Sequence, residues 1–398
     1  TSPLNSNTNM YLDSNGLVID SLSTYGAMSI GVPGTIDGIF QAHRRFGSIP
    51  LDTLFNYAIQ LASHGFPITK KQAERFNLYQ DDFAKFNTQN QYLQKLLWKE
   101  GDTLIQTDLA QTLSIIKEKG RSSFYEGEIA KSLIATIKEN GIMTLEDLKN
   151  YQSVWREPIT YNFGKYQLIS MPPPSSGGIA ISQLLMSLAN FNIDTINHNS
   201  IEYIHLLSEI EKLVYADRAT YLGDPNYYNV PLNELTNYNY NKKRVKDIDL
   251  LQARPSNSIS EGSFNNKESE ETTHFSILDQ YGNAASVTTT LNTNYGSKVF
   301  VNERGFLLNN EMDDFSSKPG HPNVYGLLGS DANAIEPEKR MLSSMTPTIL
   351  EKNNNLFLVL GTPGGSTIIT SVFQTILNVI LFKMPIQDAV DAPRFHHQ

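Results

Sequence analysis

The chain has 398 residues, of which 40% are hydrophobic and 18% are charged, and this composition is typical of a globular protein. Its net charge of −9, from 32 basic and 41 acidic residues, argues against binding to nucleic acid. The absence of cysteine excludes disulfide bonds, thiolate zinc sites and cysteine nucleophiles. No apolar run approaches the roughly 18 residues that a membrane-spanning helix needs, so no membrane span is expected.

The first 250 residues are predicted to be mainly helical. After Pro33, apolar residues recur at helical spacing and predict one buried face made of Ile36, Ile39, Phe40 and His43. Similar stripes predict helices over 51–63, 109–119, 129–137, 179–188 and 201–221. Residues 158–170 alternate between polar and apolar types, which predicts a strand.

Beyond residue 250 the pattern changes twice. Residues 252–271 are polar and almost free of core residues, which predicts an exposed, flexible segment. Strands are then predicted over 273–278 and 284–291, separated by a glycine-containing turn, and over 356–360. The last of these ends at the glycine-rich stretch 361–366, and an apolar helix follows from 367 to about 381. Together these elements predict a layered fold with sheet inside and helices outside.

Several familiar chemistries are absent from the sequence. It contains no His-Glu-x-x-His pair, no Gly-x-Ser-x-Gly elbow and no lysine after a phosphate-binding glycine loop. The eight histidines are scattered, so neither a metal nor another cofactor is expected.

Thr272 opens the first predicted strand directly after the polar segment. A cut between Glu271 and Thr272 would create an α-amino group with a pKa of about 8, next to the threonine hydroxyl. One residue would then supply both nucleophile and general base. The turn at Gly364 and Gly365 could offer backbone N–H groups to a developing oxyanion. From the residues alone, a β-prone threonine pair and an ordinary helix-entry turn remain equally open.

Several separate segments resemble the γ-glutamyltranspeptidases, which are N-terminal-nucleophile hydrolases. They are residues 31–35, 172–178, 271–276, 288–293, 307–315, 322–326, 342–348, 361–366 and 392–398. The resemblance covers nearly the whole chain and implies an α+β fold, the four-layer αββα sandwich of that class, here incomplete. It also implies a bacterial type with a lid loop. It divides the chain into a large-subunit portion, 1–271, and a small-subunit portion, 272–398.

The resemblance implies a role for each of a set of residues. Thr272 would be the nucleophile and, through its amine, the base, while Thr290 would hydrogen-bond the nucleophile and support cleavage after Glu271. The oxyanion hole would be formed by Gly364 and Gly365.

Substrate binding is implied for two further groups. Carboxylate and amide oxygens are the acceptors that an ammonium needs. The α-amino group of the substrate would be held by Asn292, Glu311 and Asp314. Its α-carboxylate would be bound by Ser343 and Ser344, and Tyr325 would lie in the lid loop, 318–331.

The implied reaction is transfer of the γ-glutamyl group of glutathione or a related compound to water, an amino acid or a peptide. The two portions would form a heterodimer after self-cleavage, in the periplasm or outside the cell. Two alternatives stay open: an acylase acting on cephalosporin, glutaryl or poly-γ-glutamate substrates, and an unprocessed inactive homologue. The chain is expected to be a fragment, because a carboxylate-binding arginine of the family would fall before Thr1.

Overall fold

The computed structural model describes residues 1–19, 21–88, 92, 95–259 and 272–398. The helices of these residues are α1 (Thr35–Phe46), α2 (Leu51–His64), α3 (Lys70–Leu78), α4 (Gln80–Phe86), α5 (Thr107–Lys119), α6 (Arg121–Tyr125), α7 (Glu128–Ile137), α8 (Leu145–Asn150), α9 (Gly177–Leu188), α10 (Ile201–Tyr221), α11 (Leu232–Leu235), α12 (Tyr238–Val245), α13 (Thr367–Ile380) and α14 (Ile386–Asp391). The strands are β1 (Phe66–Pro67), β2 (Thr103–Leu104), β3 (Ile159–Phe163), β4 (Tyr166–Ser170), β5 (Thr273–Leu278), β6 (Ala284–Thr289), β7 (Phe300–Val301), β8 (Phe306–Leu307), β9 (Thr348–Lys352) and β10 (Asn355–Leu360).

Helices α1 to α8 form the first part of the molecule around their own apolar clusters. Two of these helices begin at a capping box, in which a threonine side chain and the side chain three residues later satisfy free backbone N–H groups. The boxes pair Thr69 with Gln72 before α3, and Thr144 with Asp147 before α8. Such caps fix where a helix begins. The apolar faces of α5, α6 and α7 converge on one core.

An antiparallel sheet in the order β10-β9-β4-β3 forms the second part. Leu168 of β4 and Leu350 of β9 lie opposite each other and are fully buried against α9, α10 and α13. Helix α9 is buried along its whole length, because it is covered by the sheet and by neighbouring helices. Burial of apolar surface on this scale is the main stabilising contribution to such a layer.

Strands β5 and β6 form a separate hairpin that lies against the β9–β10 pair. The Ser286 hydroxyl in β6 donates to the Leu360 carbonyl at 3.0 Å and accepts from the Thr348 N–H at 3.0 Å. Since Leu360 and Thr348 are themselves paired, one serine joins the hairpin to the adjoining ends of two strands. The hairpin is therefore fixed relative to the end of β10, where the glycine-rich stretch begins.

The predicted α+β class is confirmed, with most helices and strands within a few residues of their expected bounds. Two local predictions are wrong. Residues 158–170 form two strands rather than one, because Gly164 takes a φ of 59° in a tight turn between them. In α1, Ile39 is 44% exposed whereas Asp37 is 1% exposed. The Asp37 carboxylate is buried because Arg121 pairs with it.

The beginning of the segment predicted to be flexible contacts α10. The Arg254 guanidinium pairs with Glu209 at 2.7 Å, and the Lys212 ammonium donates to the Arg254 carbonyl at 2.7 Å. Ile259 is buried against the same core as α10. Residues 260–271 lie outside the described residues, and the division of the chain into two portions at 271/272 stays a prediction.

Candidate active site

Thr272 immediately precedes the β5–β6 hairpin. Thr273 pairs with Thr289, so continuing the antiparallel register by one step places Thr272 opposite Thr290. The Thr290 hydroxyl accepts a hydrogen bond from the Asn292 N–H at 2.8 Å. Glu271, the other residue of the predicted cleavage site, lies outside the described residues.

The start of the hairpin lies at the same end of the sheet as the glycine-rich stretch. The Ser276 hydroxyl donates to the Val359 carbonyl at 3.2 Å. Two residues nearer the start of β5, the His274 ring packs on Gly361, where a Cβ atom would lie 2.3 Å from the ring Nδ1. Moving back along β5 towards Thr272 corresponds to moving forward along β10 towards Gly361. The candidate nucleophile and the glycine turn therefore lie at the same end of these strands.

The turn at Gly364 and Gly365 requires glycine at both positions. Their φ angles are +138° and +51°, which other residues rarely adopt. The Thr367 N–H and hydroxyl both donate to the Gly364 carbonyl, at 2.9 and 2.7 Å, and fix the turn at the start of α13. Within the described part of the chain, neither glycine N–H donates a hydrogen bond, so both are available as donors.

Tyr325 connects the glycine turn to the hairpin. Its ring, 4% exposed, lies so close to Gly365 that a Cβ atom there would be 2.6 Å from it. Its hydroxyl donates to the Asn292 carbonyl. The predicted lid loop is anchored beside Tyr325, because the Val324 N–H donates to the Asp313 carboxylate at 2.9 Å. The predicted lid residue thus covers two other predicted site residues.

Asn292 and Glu311 are brought together through Asn310. The buried Asn292 side chain donates to the Asn310 carbonyl at 3.1 Å, and Asn310 leads into a single 3₁₀ turn, Glu311–Asp314. The Glu311 Oε1 atom is buried and has no hydrogen-bond partner among the described residues. A buried carboxylate oxygen without a donor is costly unless a ligand supplies one.

Burial also changes the acidity of this turn. It raises the pKa of Glu311 to about 7. It raises the pKa of Asp314 well above its ordinary value, with Glu311 and Asp313 adding to the effect and Arg218 opposing it. We call Asn292, Glu311 and Asp314 the acidic pole of the candidate site.

Ser343 and Ser344, which we call the serine pole, lie against the loop before α9. The Ser176 N–H donates to the Ser343 carbonyl at 2.8 Å, and the Ser343 N–H donates to the Pro174 carbonyl at 2.9 Å. The Ser344 hydroxyl accepts from the Arg218 guanidinium at 3.0 Å. Electrostatic interaction between Arg218 and Asp314 links the two poles.

Sequence reasoning missed Arg218. The residue lies in the apolar stripe that predicted α10, where it reads as one charged position on a helix. Its partners are 42 and 126 positions away in the chain, so no local pattern could have revealed them. The predicted site residues that the structure describes are connected through the contacts given above, while their catalytic and binding roles stay predictions.

No cluster of three or more histidine, aspartate or glutamate side chains in the described part of the chain is suited to hold a metal ion. None of its helices is long and apolar enough to cross a membrane.

The α+β fold and the strand that follows Thr272 define a class, the N-terminal-nucleophile hydrolases. The fold aligns with the crystal structure of a cephalosporin acylase from Bacillus halodurans with a TM-score of 0.84 and 25% sequence identity. The alignment covers 100% of this chain and 71% of the acylase.

The family follows from the sequence. Residues 1–398 match the family model of gamma-glutamyltranspeptidase, and the chain belongs to that family. It is 47% identical to a glutathione hydrolase proenzyme from Pseudomonas aeruginosa, over 98% of this chain and 69% of the relative. It is 43% identical to a glutathione hydrolase proenzyme from Escherichia coli, over 100% of this chain and 69% of the relative.

Proposed function

We propose that this protein cleaves the γ-glutamyl amide bond of glutathione and related compounds, and passes the γ-glutamyl group to water or to an amino acid or peptide. The observation that carries the proposal is the pair of poles. A γ-glutamyl group ends in an ammonium and a carboxylate on one carbon, and the two poles offer acceptors for the first and hydroxyl donors for the second. Relatives named glutathione hydrolase proenzymes support the same substrate class.

In the proposed reaction, the Thr272 hydroxyl attacks the γ-carbonyl carbon while its own α-amino group takes the hydroxyl proton. The oxyanion that forms accepts hydrogen bonds from the Gly364 and Gly365 N–H groups. Collapse of this intermediate breaks the C–N bond, and the amine leaves with the proton. The γ-glutamyl ester on Thr272 is then attacked by water or by an acceptor amine.

The nucleophile must first be released from the polypeptide. We propose that the Thr272 hydroxyl attacks the Glu271 carbonyl carbon. The amide C–N bond between Glu271 and Thr272 then breaks, the Thr272 nitrogen takes the hydroxyl proton, and water hydrolyses the resulting ester. In this proposal Thr290, which faces Thr272 when the Thr273–Thr289 register is continued by one step, orients the hydroxyl. The products, 1–271 and 272–398, would stay together as a heterodimer because β9 and β10 pair with β4 in one sheet. The location implied by the family, periplasmic or secreted, belongs to the same proposal.

An acylase of the same fold is the second candidate, and the TM-score of 0.84 to a cephalosporin acylase favours it. The acidic pole argues against it. A glutaryl group carries no ammonium, so it would leave the buried Glu311 oxygen without a donor. Two further candidates are a hydrolase of poly-γ-glutamate and an unprocessed, inactive homologue.

A comparison of three substrates separates these possibilities. The full-length protein is assayed with γ-glutamyl-p-nitroanilide, glutaryl-p-nitroanilide and poly-γ-glutamate, and its chains are resolved by denaturing electrophoresis and N-terminal sequencing. We expect preferred turnover of the γ-glutamyl anilide and a new chain that begins at Thr272. Preferred turnover of the glutaryl compound would indicate the acylase, and preferred turnover of the polymer would indicate the poly-γ-glutamate hydrolase. A single uncut chain without activity would indicate the inactive homologue.

A further inference from the structure

Arg218 is a buried cation without an ion pair. It lies on α10 with 3% of its surface exposed, and no carboxylate among the described residues is within ion-pairing distance of its guanidinium. Burial lowers the pKa of this guanidinium, although Tyr215 and Asp314 oppose the shift. An arginine remains protonated under these conditions, and burying its charge without a counter-charge is unfavourable.

Neighbouring arginines around the same helix are paired. Arg244 lies 2.9 Å from the Asp217 carboxylate, and Arg156 lies 3.4 Å from that of Asp224. The fold therefore supplies partners for cations close to Arg218, whereas within the described part of the chain the Arg218 guanidinium is bound only to hydroxyl groups.

The Arg218 fork is divided between two serines. Its Nε–H donates to the Ser176 hydroxyl at 3.0 Å, and its Nη2 donates to the Ser344 hydroxyl at 3.0 Å. Each hydroxyl oxygen that accepts from a guanidinium has its own proton left to donate elsewhere. The Ser176 hydroxyl donates to the Ser343 carbonyl at 2.8 Å.

The hydrogen bonding beyond Ser344 differs from that beyond Ser176. The Ser344 hydroxyl donates to no acceptor within the described residues, and neither does the Ser343 hydroxyl, which only accepts from the Met345 N–H at 3.1 Å. One arm of the fork thus fixes the backbone of the serine pole, and the other orients a hydroxyl that still has a proton to give. A carboxylate is the acceptor that such a hydroxyl, backed by a positive charge, favours most.

We propose that Arg218 is a positioning residue for the α-carboxylate of the γ-glutamyl donor. It orients the Ser344 hydroxyl towards that carboxylate, holds Ser343 beside it through Ser176, and supplies a buried positive charge behind both. The proposal rests on the proposed function and adds a residue that does not itself touch the substrate. Asp314, a member of the acidic pole, interacts with the same positive charge.

The test uses two ligands that differ only in the α-carboxylate. L-Glutamate carries the α-ammonium and the α-carboxylate. 4-Aminobutyrate keeps the ammonium and the distal carboxylate but lacks the α-carboxylate. Binding of each is measured by calorimetry and as inhibition of γ-glutamyl-p-nitroanilide turnover, for the wild type and for Arg218→Met and Arg218→Lys. Arg244→Lys serves as a matched control, because it changes a paired arginine next to the same helix.

Because Arg218→Met removes a charge-assisted hydrogen bond, we expect it to weaken L-glutamate binding about 10- to 100-fold and to raise KM for γ-glutamyl-p-nitroanilide by a similar factor. We expect kcat to change by less than about threefold and 4-aminobutyrate binding to change much less than L-glutamate binding, since the residues of the acidic pole are all still present. The lysine variant keeps the charge but not the fork, so its loss should be intermediate. Arg244→Lys should leave the ratio of the two affinities unaltered.

Ser344→Ala gives a second measurement that does not disturb the buried arginine. It should weaken the binding of L-glutamate selectively. The loss of L-glutamate binding free energy in the double variant with Arg218→Lys should be smaller than the sum of the two single losses. Equal weakening of both ligands, an unchanged L-glutamate affinity or strictly additive effects would each overturn the role of Arg218. Failure of the wild type to turn over γ-glutamyl-p-nitroanilide would instead contradict the proposed function, and calorimetry would still report on Arg218.

Discussion

The two poles of the candidate site are proposed to bind opposite charges by opposite means. The acidic pole presents carboxyl groups directly, with a buried Glu311 oxygen that lacks a partner among the described residues. The serine pole presents neutral hydroxyls and keeps its charge one residue behind, on Arg218. Burial raises the pKa of Glu311 to about 7, so this carboxyl group of the acidic pole titrates near neutral pH. The hydroxyls of the serine pole do not titrate there, and this difference makes the two poles separable by experiment.

The largest effect is expected from removal of Thr272, the proposed nucleophile that acts on a substrate held by both poles. Thr272→Ala should abolish cleavage after Glu271 and lower kcat/KM by about 10⁴-fold or more, because no second hydroxyl takes its place in the register. Activity is measured with γ-glutamyl-p-nitroanilide and cleavage by electrophoresis. Thr273→Ala is the control, since this exposed neighbour should retain both. Cleavage before residue 272 in the alanine variant would show that another group performs the processing.

The next effect separates the poles. Glu311→Gln should raise KM for γ-glutamyl-p-nitroanilide by about 100-fold, because an ammonium loses a charged acceptor. The KM of glutaryl-p-nitroanilide should change little, since that compound offers no ammonium. The exposed Glu303 provides a matched Glu303→Gln control. An equal rise for both anilides would mean that Glu311 supports the fold of the site rather than the ammonium.

A pH series sharpens the same contrast. Below about pH 7 the Glu311 carboxylate becomes protonated, so KM for the γ-glutamyl anilide should rise about tenfold per pH unit as the pH falls. The KM for the glutaryl anilide should stay flat over the same range. KM is the quantity to follow, because kcat also reports the α-amino base of Thr272. A flat profile for the γ-glutamyl compound would contradict the titration of Glu311.

The raised pKa of Glu311 also has a consequence for stability. Between the ordinary carboxyl pKa and about 7 the native state binds more protons than the unfolded state, so the free energy of unfolding decreases as pH rises through this window. Urea unfolding at several pH values should show this decrease in the wild type, and Glu311→Gln should reduce it.

The smallest effect concerns the predicted lid loop and its residue Tyr325. Tyr325→Phe keeps the ring against Gly365 but removes the hydrogen bond to the Asn292 carbonyl. The ratio of transfer to hydrolysis should fall about two- to tenfold, because a looser lid admits water to the ester. The ratio is measured with and without an acceptor dipeptide. Tyr281→Phe, at the exposed hairpin turn, should leave the ratio as it is in the wild type.

The sequence predicted the elements of the site better than the contacts between them. Periodicity was sufficient for the hairpin that follows Thr272 and for the strand, glycine turn and helix around Gly364, because local spacing and turn chemistry determine such elements. The short turn at Gly164 was missed because the alternation continues across it. The burial of Asp37 could not be predicted, since its partner Arg121 is 84 residues away.

The environment of the site residues could not be read from the sequence at all. The unpartnered Glu311 oxygen, the contact of Tyr325 with Gly365 and the burial of Arg218 arise only when distant segments meet. Family resemblance named most of these residues, yet it supplied no reason for a cation behind Ser344. That reason comes from the three-dimensional arrangement of α10 and the two serine-containing loops.

Asn292 carries two demands at one position, and this limits how the protein can evolve. Its φ of +75° favours asparagine, aspartate or glycine, while its side chain must donate to the Asn310 carbonyl. Glycine and aspartate satisfy the first demand but not the second, so single substitutions there should be purged by selection. A laboratory search for new acyl-group preference would therefore gain more from libraries at Glu311 and Asp314, whose backbone angles tolerate many residue types.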